Sequence, residues 1–65
     1  MKRDMERFNK INNIILKMDD GAFYSICSSY EQSFKYGTRN IFENICKAFG
    51  MNAEDFVFWY EYRKE

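Results

Sequence analysis

Cys27 and Cys46 are the two thiols of the chain, nineteen residues apart, and no histidine is present to act as a base or a metal ligand. A thiolate nucleophile needs an activating base or cation beside it, and structural zinc needs soft ligands at spacings such as Cys-x-x-Cys. The chain has neither set, so both cysteines read as small buried hydrophobes, and no metal or other cofactor is expected. Asp19 and Asp20 are adjacent carboxylates, but a catalytic dyad needs a cleft that a 65-residue chain scarcely builds. They read as residues of a helix-ending turn, and the chain reads as a non-enzyme.

The chemistry this sequence does concentrate is non-covalent. In DFVFWYEYRKE, Phe56, Phe58, Trp59, Tyr60 and Tyr62 place five rings within seven residues, with Glu54, Asp55 and Glu61 around them. On a helix, Phe56, Trp59, Tyr60 and Arg63 share one face while Phe58 and Tyr62 lie on the other, with Trp59 or Tyr60 at the edge. The first face can pack inward. The second is then expected at the surface, where contiguous aromatic area marks a contact site and where Tyr, Trp and Phe carry much of an interface's binding energy. The expected partner-binding residues are therefore Glu54, Asp55, Phe58, Trp59, Glu61 and Tyr62, with the rings as anchors and the acids facing a basic patch. The competing reading buries FVFWY on both faces as a strand, with no partner implied.

The elements that would position these residues follow from apolar spacing. Met5, Phe8, Ile11, Ile14, Ile15 and Met18 recur at steps of three and four, which predicts an amphipathic helix. It is expected to stop at Asp19-Asp20-Gly21, with glycine in the left-handed conformation that ends helices. Phe23, Ile26, Cys27, Tyr30 and Phe34 predict a second helix up to Gly37. The aromatic, β-branched and serine content of this stretch also suits a β-hairpin at 22–36. Thr38 then caps a third helix over about Arg39 to Phe49, with Ile41, Phe42, Ile45, Cys46 and Phe49 on one face and Gly50 at its end. Asn52 is a natural N-cap for a fourth helix, its side chain accepting from the Glu54 or Asp55 N–H. With no proline, repeat or low-complexity tract, residues 1–65 are read as one domain.

Ten basic and ten acidic residues cancel, so no overall field draws the chain toward nucleic acid or anionic lipid. Residues 1–20 carry five positive and four negative charges, residues 21–50 three and two, and residues 51–65 two and four; the aromatic segment is also the acidic one. The longest apolar run, the five-residue FVFWY, falls far short of the roughly twenty residues that cross a bilayer. MKRDMERFNK lacks the apolar centre of a signal peptide, and a cytoplasmic location is the expectation.

Residues 42–61, FENICKAFGMNAEDFVFWYE, resemble the helix-turn-helix of Xre/Cro-type repressors. Ile45, Cys46, Phe49, Gly50, Met51, Phe56 and Trp59 occupy the pattern's apolar, small and turn-glycine offsets. The resemblance implies two short helices crossing steeply through a tight turn, and a role in DNA binding. The positions that would face DNA depart from the family: Asn52, Ala53, Glu54, Val57 and Phe58, with Asp55 beside them, include only Asn52 as a suitable reader of base edges. Glu54 and Asp55 would stand against phosphates.

The expected architecture is all-α, a bundle of three or four short helices, with α+β carrying a small hairpin at 22–36 as the alternative. The expected function is that of a small intracellular regulator or inhibitor that binds another protein through its aromatic and acidic C-terminal face. Size and a composition rich in Asn, Ile, Lys, Phe and Tyr suit a phage or mobile element. The alternatives are a helix-turn-helix DNA-binding regulator and a self-assembling homo-oligomer, with a homodimer as its simplest form.

Overall fold

The structure, a computed structural model, describes residues 2–64. Four helices follow one another, α1 (Lys2–Leu16), α2 (Asp20–Tyr36), α3 (Arg39–Ala48) and α4 (Ala53–Lys64), with no strand among the described residues. The fold is all-α. The hairpin considered for 22–36 is overturned: this stretch lies inside α2. Its serines suit a helix because each can return its hydroxyl to the preceding turn. Ser29 Oγ donates to the Ile26 carbonyl at 2.9 Å and Ser33 Oγ to the Tyr30 carbonyl at 2.6 Å, so these hydroxyls do not compete with the helix for its own N–H groups.

The boundary between α1 and α2 differs from expectation. Helix α1 ends at Leu16 through two tightened turns, Lys17 N–H to Ile14 and Met18 N–H to Ile15. Asp19, rather than helping to end α1, begins α2: its Oδ2 accepts from the Gly21 N–H at 2.9 Å and the Ala22 N–H at 3.3 Å. Gly21 is therefore in the first turn of a helix and not in the left-handed conformation. Gly37 does close α2 in that conformation, at φ 67°, its N–H donating to the Ser33 carbonyl at 3.0 Å. Thr38 stands at the N-cap of α3, yet its side chain makes no capping bond; its carbonyl accepts from Ile41 and Phe42 instead.

Helix α3 ends in a Schellman turn. Gly50 at φ 73° donates to the Lys47 carbonyl, Met51 donates to the Cys46 carbonyl at 2.8 Å, and the Met51 side chain is driven into the core. Asn52 then starts α4, its Oδ1 accepting from the Asp55 N–H at 2.9 Å, while Glu54 and Asp55 sit at the positive end of the helix dipole.

Helix α1 packs on α4, α2 on α3, and α3 on α4. The core joins Ile11 and Ile15 of α1, Ile26 and Tyr30 of α2, Phe42 and Cys46 of α3, Met51 of the turn, and Phe56 and Trp59 of α4. The Tyr30 ring is central, with the Phe34, Phe42, Phe56 and Tyr60 rings at 4.9 to 5.6 Å. The apolar stripes are narrower than the spacing suggested. Phe34, expected inside, is 69% exposed against the edge of Tyr30, and Met5, Ile14, Ile41 and Phe49 are likewise exposed. No described helix is long and apolar enough to cross a membrane.

Candidate protein-binding face

Helix α4 is apolar nearly all round, and the structure divides its rings among three environments. Phe56 and Trp59 point into the core, Tyr60 leans on α2, and Phe58 and Tyr62 lie half-buried in the groove with α1. Helix α1 completes that groove. Phe8 stands 5.0 Å from the Tyr62 ring and, nearly parallel, 6.4 Å from Trp59, while Phe58 and Tyr62 stack on each other at 5.5 Å. Arg7 roofs the stack: its guanidinium lies 4.2 Å over the Phe58 ring and pairs with Asp55 Oδ1 at 3.1 Å. Both members of that ion pair are close to half exposed, so it holds the side chain in place more than it stabilises the fold.

The six residues expected to meet a partner are only partly gathered here. Phe58 and Tyr62 share the groove, with Asp55 at its wall. Trp59 is 4% exposed, a core residue under Phe8 and against Phe23, and its indole N–H donates to Asn12 Oδ1 at 3.0 Å. It supports the face from beneath. Glu61 is turned toward α2, where its Oε1 accepts from the Tyr30 hydroxyl at 3.1 Å. Glu54 is exposed beside the α3–α4 turn, in a hollow of about 350 Å³ with Glu43, Lys47 and Asn52. Its carboxylate is thus apart from the rings.

Two contributors from α1, Arg7 and Phe8, are absent from the expectation. Phe8 lies on the apolar stripe of α1; its role at the face depends on α1 docking beside α4, which local spacing does not encode. Asn12 carried a usable signal. It is an amide between Phe8, Ile11 and Ile15 on an otherwise apolar stripe, and such a residue needs a buried partner.

Burial and neighbouring acids favour the neutral forms of Tyr30, Tyr60, Cys27 and Cys46. Burial, then the hydrogen bond to Glu61, pushes the Tyr30 phenol up to about 12. Tyr60 is raised by donating to Glu31 Oε2 at 3.0 Å. The thiols are free; burial raises Cys46 to about 11 and moves Cys27 in the same direction. These are packed thiols held protonated, the opposite of an activated thiolate.

Comparison of the chain with protein-family models, curated proteins and solved structures gave no match.

Proposed function

We propose that this protein is a small regulator that acts by binding another protein through the face shared by α1 and α4. One observation carries the reading: Phe8, Phe58 and Tyr62 form a half-buried cluster of rings, with the Arg7 guanidinium lying over the Phe58 ring. Arg7 is a movable lid, since both it and Asp55 are well hydrated. A partner that displaces it gains access to three ring faces already held in place by Trp59 below, so little side-chain entropy is lost on binding. Asp55, released from Arg7, and Glu54 then favour a partner with basic residues at the rim. The mechanism is steric occlusion of the surface that the partner uses for its own work.

Co-purification of the tagged protein from its cell of origin, with a nuclease-treated sample in parallel, tests this reading. The expected result is a stoichiometric protein that survives nuclease and is lost with Phe58→Ala and Glu54→Lys combined, the helical circular dichroism being kept. Recovery of nucleic acid in place of protein would overturn it.

A second reading, DNA binding through α4, is supported by the arrangement of α3 and α4 across the Gly50 turn, with Cys46 and Phe56 buried between them. Against it stand Glu54 and Asp55 in the first turn of α4, where phosphates would lie.

A further inference from the structure

Three of the exposed apolar residues of α2 and α3, Tyr24, Tyr36 and Ile41, gather on a face that the regulator reading leaves unused. Tyr24 and Tyr36 are 74% and 64% exposed, and with Ile41 and Ile45 they border a groove of about 360 Å³ whose floor includes Ser28 and Gln32. Tyr24, Ser28, Gln32 and Tyr36 follow at steps of four, so they form one ridge along α2. The two tyrosines are about 18 Å apart along the axis.

Among the described residues no charged side chain lines this groove, although 31% of the chain is charged. The hollow at the α1–α2 junction contains Asp20 and Arg63, and the one at the α3–α4 turn contains Glu43, Lys47 and Glu54. An uncharged groove selects its occupant. A charged partner would lose water here and find no counter-charge, which penalises it. A two-fold interface sets a patch against itself, so any net charge would meet its own sign; the groove lining carries none, and the Lys35 ammonium, 5.4 Å from the Tyr36 ring, stands at one end of the ridge, away from its middle.

We propose that the α2–α3 face is the contact between two copies of this chain. With α2 crossing its copy antiparallel, the Tyr24 end of one ridge meets the Tyr36 end of the other. Ser28 and Gln32, midway between the tyrosines, then lie near the axis. Their mutual hydrogen bond is long, at 3.5 Å, and their polar groups can pair across the axis instead. A stable dimer takes about 800 Å² from each partner, about a sixth of the 4920 Å² surface here; the two tyrosines contribute on the order of 150 Å² each, and the groove between them with Ile41 and Ile45 supplies the rest. The α1–α4 face remains open in such a dimer, which would present two copies of it.

Sedimentation equilibrium of the full chain across a concentration series tests the proposal. The expected mass rises from 7.9 kDa to twice that value. Ile41→Glu and, separately, Gln32→Glu place like charges across the axis and should weaken the dimer by about a hundredfold. Both positions are exposed, so the helical signal should stay unchanged, and the Gln32 variant keeps the test valid should Ile41→Glu unfold. A control, Glu54→Lys, should leave the dimer intact. A chain that stays monomeric up to about 1 mM, or a dimer that survives both substitutions, would overturn the proposal. So would a dimer broken only by Phe58→Ala, which would place the interface on the other face.

Discussion

Trp59 shows how a single contact changes a residue's meaning. Its indole N–H has its partner in Asn12, across the α1–α4 boundary. Replacing Asn12 by Ala strands that donor inside the core and should cost about 1–3 kcal/mol in urea unfolding. Adding Trp59→Phe removes the donor as well, so the double variant should lose less than the sum of the two single changes. Titration gives a second expectation. Tyr30 and Cys46 hold their protons more tightly folded than unfolded, at about 12 against 10.0 and about 11 against 9.0. For a group raised in this way, the stabilisation is complete below the unfolded value and disappears as pH climbs to the folded one. Stability should therefore be flat through neutral pH and fall from pH 9 upward to about 12, as followed by circular dichroism. Tyr30→Phe should remove the later part of that fall. The sequence showed that Trp59 lies at the edge of the inward face of α4; it did not show that α1 would cover that edge, because Asn12 and Trp59 meet only through the tertiary fold.

The helix boundaries were legible wherever one local signal acted alone. Gly37, Gly50 and Asn52 each do what their residue type predicts, because a left-handed closure or an N-cap is decided within one turn of chain. Gly50→Ala should cost about 1–2 kcal/mol, read as a lower midpoint in urea. No neighbour obstructs a new methyl there, so the loss would be one of backbone conformation alone. Asp19-Asp20-Gly21 offered two signals in three residues, a glycine that ends helices and an aspartate that begins them. The aspartate prevailed because its carboxylate reaches two N–H groups at once. Asp19→Ala should accordingly cost about 1 kcal/mol. The choice of helix over hairpin at 22–36 was less legible, since tyrosine, phenylalanine and serine suit both; the hydroxyl bonds of Ser29 and Ser33 show what the helix gains.

At the scale of the molecule, the Cα envelope measures 34 by 22 by 15 Å, its thinnest dimension that of two packed helix layers, each Cα cylinder being about 4.6 Å across and the axes about 8–10 Å apart. So small a body has little interior for its twelve phenylalanines and tyrosines and one tryptophan, and several rings are left at the surface. Which ones stay outside follows from which helices pair, and spacing within a helix does not record that. The stripes of α2 and α3 were legible, whereas the exposure of Phe34 and Ile41 was not. Phe8→Ala tests the α1–α4 pairing: it should cost about 2 kcal/mol, near half the value for a fully buried phenylalanine. It should also shift Trp59 emission to longer wavelength as water reaches the indole. That pairing joins positions 47 and 48 residues apart, Asn12 with Trp59 and Arg7 with Asp55. During synthesis α1 is made well before α4, the surface that receives it. The newborn chain can assemble α2 on α3 early, but α1 must wait with its apolar stripe uncovered until α4 leaves the ribosome. The docking of α1 on α4 is thus a step that synthesis defers.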